Sequence, residues 1–218
     1  RNTYFFDNQN CYAKVIENGI PITVSKKKEK KEHVNFKIGM LGRLESYKGH
    51  DDLLCSISLL SKECLEKIDV EFIGSYSNDD YSRLNNIIKK LNLENKVEIL
   101  GYVDESVSSI ISRLDLVVML TKTFEGFGLT VVEALHQNTP VIATNLGVVS
   151  DLFPKDSEFV VETGDFNNLA RQIEKIVMSK NIENAIPKII QDKLWKYDSV
   201  NMANRYHQHL MFEKIKVT

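Results

Sequence analysis

From residue 36 to residue 177 the chain alternates short apolar runs with stretches of helical periodicity, and that alternation leaves few folds open. FKIGML (36–41), VEFI (70–73), VEIL (97–100), LVVML (116–120), PVIAT (140–144) and EFVV (158–161) read as strands. Between them Tyr81, Leu84, Ile87, Ile88 and Leu91 share one helical face, as do Phe166, Leu169, Ile173, Ile176 and Val177, with Asp165 placed to cap the second helix. Strands alternating with helices build βαβ units, whose right-handed crossovers give a parallel sheet covered on both faces. The expected fold class is α/β, with a Rossmann-like parallel sheet. Two further helices are expected at 182–193, weakened by Pro187, and at 198–215.

A length of 218 residues fits one domain with appendages, and 43% hydrophobic residues are enough to fill its core. The 28 basic and 30 acidic residues leave a net charge of −2, which excludes a general nucleic-acid coat. Cys11, Cys55 and Cys64 form no CxxC and cannot all pair within the chain, so a cytoplasmic setting is expected. No apolar run approaches the ~20 residues that span a bilayer. The run KKKEKKE (26–32) cannot enter a packed core and reads as a solvated linker. Its lysines could also meet an anionic membrane surface, a peripheral contact at the inner face of the membrane. The expected division is an interdomain segment and linker (1–33), a ligand-binding Rossmann-like domain (34–180) and C-terminal helices (181–218). The chain starts at Arg1, which points to a fragment.

Glycines gather at the ends of the apolar runs, the edge where open parallel sheets bind ligands. Turns also need glycine for their own sake, which suffices for Gly74, Gly101, Gly147 and Gly164. Two clusters carry more. In GRLESYKG (42–49), Arg43 and Lys48 flank a turn where two cations could converge on a diphosphate, although surface cations at helix starts are common. It fits neither the dinucleotide fingerprint nor the Walker loop. In FEGFGLTVVE (124–133), Gly126 and Gly128 admit a close ligand, and a helix starting near Gly128 aims its free N–H groups there. Glu125 and Glu133 flank that helix start and could hold sugar hydroxyls, or they could be a solvated loop residue and a helix-face charge.

At these residues the chain resembles the C-terminal, donor-binding domain of a family 4 retaining glycosyltransferase, one half of a GT-B fold. The family's E-x7-E signature reads from Glu125 to Glu133. ENGI (17–20), GRLESYKG, KVEILGYV (96–103), DLVVML, TPVIATNLGVVSDLF (139–153) and GDFNNLARQI (164–173) resemble further family segments in the same order. The resemblance implies that Arg43 and Lys48 grip the diphosphate, with Gly42 in that loop and backbone N–H groups of Gly128, Leu129 and Thr130 completing the cradle. It makes Glu133 the ribose ligand and Glu125 the contact to the transferred sugar, in a pocket lined by the backbone of Gly126, Phe127 and Gly128. Main-chain groups around Tyr102 and Val103 would read the base. The implied reaction moves a hexosyl group from a UDP- or GDP-sugar to an acceptor hydroxyl, on a glycan or a lipid-linked acceptor, with retention at the anomeric carbon. Surface polysaccharide or glycolipid synthesis is the expected setting.

The cations and the helix start would neutralise the leaving diphosphate, so no metal or other cofactor is expected. In line with this, there is no Asp-x-Asp triplet, and His33, His50, His136, His207 and His209 lack metal spacing. The chain departs from the family at 147–151 (GVVSD), which puts that loop's donor contacts in doubt, at Thr121 and Thr123 before the signature, and at 136–138 (HQN). An N-terminal acceptor domain is expected elsewhere, so the chain alone should bind donor without turnover. Competing readings are a non-catalytic nucleotide-sugar subunit or sensor and a sugar-nucleotide epimerase half, which the E-x7-E signature disfavours. An NAD module is disfavoured by the missing fingerprint.

Overall fold

The computed structural model describes residues 15–22, 34–154, 156–179 and 186–216, with side chains through residue 211. The charged run 26–32, Cys11, His33 and residues 182–185 of the first expected C-terminal helix lie outside the described residues. The rest falls into two compact units, one within Ile22–Leu194 and one drawn from Arg1–Pro21 and Trp195–Thr218.

In the larger unit β1 (Phe36–Leu41), β2 (Ile68–Ile73), β3 (Val97–Gly101), β4 (Leu116–Met119), β5 (Val141–Thr144) and β6 (Val160–Val161) form one sheet. Its order is β3-β2-β1-β4-β5-β6, and every pairing is parallel. The connecting helices are α1 (His50–Ile57), α2 (Lys62–Glu66), α3 (Asn78–Lys90), α4 (Val107–Ser112), α5 (Leu129–His136), α6 (Val149–Leu152) and α7 (Phe166–Met178), followed by α8 (Lys188–Gln191). They pack in groups, α1 against α3 and α7, and α4 against α5. Every residue of β4 and β5 is buried, which is why these strands read as continuous apolar runs rather than alternating ones. The edge strand β3 instead carries the exposed Glu98, a charge that discourages pairing with another sheet.

The helix ends follow their local chemistry. Ser77 and Asp80 close a capping box on α3, and Asp165 accepts the Asn168 N–H at 3.1 Å, the cap expected for α7. Three expectations change. The last strand is only Val160–Val161, because Glu158 and Phe159 lie in a turn where the Ser157 hydroxyl accepts the Phe159 N–H. Strand β2 begins two residues early, at Ile68, where it pairs with Phe36. Among the described residues of 182–193 only the single turn Lys188–Gln191 is helical, and Pro187 stands at its N-cap.

In the second unit α9 (Ser199–Lys216) follows a parallel bridge between Ile20 and Asp198. The Ile20 N–H donates to Tyr197 at 2.8 Å, the Ser199 N–H donates to Ile20 at 2.9 Å, and Glu17 pairs with Arg205. Among the described residues no helix is long and apolar enough to cross a membrane.

Candidate active site

The neighbouring strands β1 and β4 lead into loops that part on opposite sides of the sheet's midpoint. A crevice opens at such a switch point, outside the carboxyl ends of the strands. Both glycine-bearing clusters lie at this crevice.

The loop after β1 is pinned by Leu44, whose side chain is fully buried. Its N–H donates to Ser75 at 3.0 Å, and Arg83 of α3 donates to its carbonyl at 2.8 Å. A 3-10 turn at Ser46–Lys48 then carries Lys48 inward and leaves Arg43 outside. The Arg43 guanidinium bonds Glu45 at 2.9 Å and the Tyr47 hydroxyl at 3.0 Å, with 62% of the side chain exposed. Lys48 instead donates to Glu125 Oε2 at 2.8 Å. The structure therefore brings Lys48 and Glu125 together, while Arg43 rests on its own loop.

After β4, the Thr121 hydroxyl donates to the same Glu125 oxygen at 3.0 Å, and the Thr144 hydroxyl donates to the Thr121 carbonyl at 2.8 Å. Burial alone would raise the Glu125 pKa; Lys48, the Thr121 hydroxyl and the Phe127 N–H outweigh it and hold the carboxylate below its ordinary value. Gly128, at φ +91°, turns the chain into α5 as its N-cap, and leaves the first-turn N–H groups of Leu129 and Thr130 without intrahelical partners. Gly126 has open space around it, with Phe124 alone within 4 Å of an added Cβ. Nothing in the packing of the free chain requires glycine there.

The half-buried Glu133 lies farther along α5. Burial alone raises its pKa, and no side chain among the described residues compensates it. On the other side of β1, the Gly74 N–H donates to Gly101 at 2.8 Å and the Gly42 N–H donates to Ile73 at 2.9 Å, so the exits of β1, β2 and β3 are stitched together. Tyr102 stands 77% exposed just past β3, beside the partly buried Val103. Among the described residues no cluster of three His, Cys, Asp or Glu side chains is arranged to hold a metal ion.

Sequence reasoning missed Thr121 as a ligand to Glu125, Glu45 and Tyr47 as partners of Arg43, and the role of Gly147. The 147–151 loop, whose donor contacts the departure from the family pattern puts in doubt, packs on the signature turn. The Val148 N–H donates to Phe127 at 2.7 Å, and a Cβ on Gly147, whose φ is +58°, would lie 2.5 Å from the Phe127 carbonyl oxygen. A glycine just after a strand was the available signal, but it is shared by every tight turn.

Residues 22–192 match the model of the family described as glycosyl transferases group 1. The chain is 30% identical over 158 residues to the capsular polysaccharide biosynthesis glycosyltransferase CapM of Staphylococcus aureus, covering 70% of this chain and 39% of CapM. It superposes on the crystal structure of Anabaena HepE in complex with UDP and glucose with a TM-score of 0.80 at 24% identity, over 91% of this chain and 56% of that one. The C-terminal domain of LpcC, a glycosyl transferase group 1 family protein from Francisella tularensis, superposes with a TM-score of 0.68 at 21% identity, covering 80% of this chain and 98% of that domain. The structural likenesses establish the fold, the Rossmann-like half of a GT-B protein. The chain spans well under half the length of curated relatives such as CapM. With the family model covering most of its length, the chain belongs to the glycosyl transferases group 1.

Proposed function

We infer that this chain is the nucleotide-sugar-binding domain of a family 4 retaining glycosyltransferase, the C-terminal half of a longer protein. The reading rests above all on the convergence of Lys48 and Glu125 across the switch-point crevice. HepE, whose crystal contains UDP and glucose, and LpcC, solved as a C-terminal domain, support it by likeness. In this reading Lys48 keeps one N–H on Glu125 and offers its remaining donors to the diphosphate of a UDP- or GDP-sugar. Arg43 swings from Glu45 to the same group, and the start of α5 adds N–H donors and the positive end of its dipole. These fixed charges stabilise the leaving diphosphate without reorganisation as the glycosidic bond breaks, and no metal is needed for that step. Glu125 accepts hydroxyls of the transferred hexose, Glu133 accepts the ribose hydroxyls, and the main chain at Tyr102 and Val103 reads the base. An N-terminal domain supplies the acceptor site, so the chain alone binds donor but does not turn over. The acceptor is a glycan or a lipid-linked glycan, and CapM points to surface polysaccharide. The proposed setting is the cytoplasm.

The experiment is to incubate the longer protein containing this chain with UDP- and GDP-sugars and a glycan acceptor, and to read the product's anomeric configuration by NMR. A product with the donor's configuration is expected. An inverted product contradicts retention, and no transfer from any nucleotide sugar contradicts the assignment.

A further inference from the structure

Lys122 belongs to none of the roles above, yet it joins the two loops that form the crevice. Its backbone N–H donates to the Tyr47 carbonyl at 2.7 Å. Tyr47 and Lys122 are thus bonded neighbours between the two loops, and the residues beside them, Lys48 and Thr121, both reach Glu125 Oε2. The side chain makes a second attachment, with Nζ 3.0 Å from Asp51 Oδ2 and 2.6 Å from Asp52 Oδ1, the acids of the first turn of α1. Asp52 is buried, and a buried carboxylate is costly unless paired. Burial by itself would lower the Lys122 pKa, and the two aspartates more than offset it, so the ammonium stays charged.

Other groups reinforce the same seam. Arg83 lies 3.9 Å from Asp51 while holding the Leu44 carbonyl, so Asp51 lies between the two cations that grip this loop. A Cβ on Gly49 would lie 2.3 Å from the Leu120 carbonyl oxygen. Residues 47–52 are thus seated against residues 120–122 by a main-chain bond, an ion triad and direct backbone contact. The backbone bond holds one point of the turn, and the triad adds a second attachment just past it, at Asp51 and Asp52.

We propose that Lys122 is a positioning residue: through Asp51 and Asp52 it sets the placement of the Lys48 turn relative to Glu125, and so the affinity of the crevice for a diphosphate. This rests on the donor-site reading above. Lys122 touches no ligand in it, and the signature does not include it.

The test compares Lys122→Met, Lys122→Arg and Asp52→Asn with Lys37→Met. The last breaks a Lys37–Glu71 pair of 2.7 Å near the start of β1, at the end of the strand away from the crevice. Binding of inorganic pyrophosphate and of UDP-glucose is measured by calorimetry well below each melting temperature, and backbone amide exchange is followed on the free proteins. Lys122→Met is expected to weaken both ligands about tenfold, since small misplacements of a charged group cost that much or more. Lys122→Arg is expected to recover most of the loss, and Asp52→Asn to show a smaller loss should the Met variant fail to fold. Amides at 46–49 and 121–125 should exchange faster in Lys122→Met than in Lys37→Met, which should lose only melting temperature. Wild-type affinity in both Lys122→Met and Asp52→Asn, or an equal loss in Lys37→Met, overturns the proposal. If the wild-type chain binds neither probe, the donor-site reading fails instead. Exchange then decides the clamp, and equal rates in Lys122→Met and Lys37→Met overturn it.

Discussion

The Lys48 ammonium and the Glu125 carboxylate, carried by the loops after β1 and β4, lie 2.8 Å apart with most of both side chains buried. A basic residue assigned to phosphate and an acidic residue assigned to sugar thus neutralise each other in the free chain. Neutralising Glu125 removes a negative charge beside the phosphate position and frees a full positive one. Glu125→Gln is therefore expected to leave bare UDP or GDP bound at least as tightly as in the wild type. The matching nucleotide sugar should lose roughly 1–3 kcal/mol, the cost of a lost charge-assisted hydrogen bond. Calorimetry with both ligands checks this, and an equal loss for the bare nucleotide contradicts the sugar role.

Burial raises the pKa of the Glu133 carboxyl above its ordinary value, with no compensating group among the described residues. In the proposed ribose role the ionised form is the stronger acceptor, so binding should release a proton where the free group is partly protonated. Donor affinity should therefore fall as pH drops toward that raised pKa, beginning at higher pH than for a free carboxylate. Glu133→Gln should remove this pH dependence and weaken binding by roughly 1–3 kcal/mol. Titrations over a pH series would expose an unchanged profile.

The glycines on the signature side should separate folding from binding. Gly147→Ala forces a Cβ against the Phe127 carbonyl at positive φ, and should destabilise the fold by about 1–3 kcal/mol. Gly126→Ala meets only Phe124, so stability should stay within about 0.5 kcal/mol of the wild type while donor affinity falls. Paired melting and binding curves distinguish the two, and intact binding in Gly126→Ala removes the ligand as the reason for that glycine.

His50, the first residue of α1, is buried edge-on against Phe72, with their ring centroids 4.9 Å apart. Burial, aided by Arg83 and Lys48, lowers its pKa from 6.5 to about 4. Between those values the unfolded chain binds a proton that the folded chain does not, so stability rises with pH across the window. Acidifying from about 6.5 to about 4 should cost on the order of 3 kcal/mol through this group. Urea melts of the wild type and His50→Leu would test it: the variant should show a shallower slope, and parallel slopes would contradict the assignment.

The sheet was legible because β4 and β5, buried on both faces, are continuous apolar runs and because Asp165 caps α7 by local chemistry. The short α2 and α4 were not, since five or six residues, half of them serine in α4, leave little periodicity to read. At the site, the glycines and the two glutamates singled out the loops after β1 and β4. Their pairing was invisible, because Lys48 and Glu125 are 77 positions apart and only the order of the strands brings them together. The resemblance assigned Arg43 to phosphate, but the attraction of Glu45, two residues away, decides where its side chain rests in the free chain.

That the β1/β4 crevice is a nucleotide-sugar site is tested most directly by thermal shift. UDP, GDP, ADP, UDP-glucose, GDP-mannose and NAD would be tried with and without EDTA, on the wild type and Lys48→Ala. At ten times its dissociation constant a ligand adds roughly 1.4 kcal/mol, or about 3–6 °C in a domain of this size. The expected result is a rise with one nucleoside diphosphate and its sugar, unchanged by EDTA and lost in Lys48→Ala. No rise with any of them, or a rise that survives in Lys48→Ala, would contradict the site.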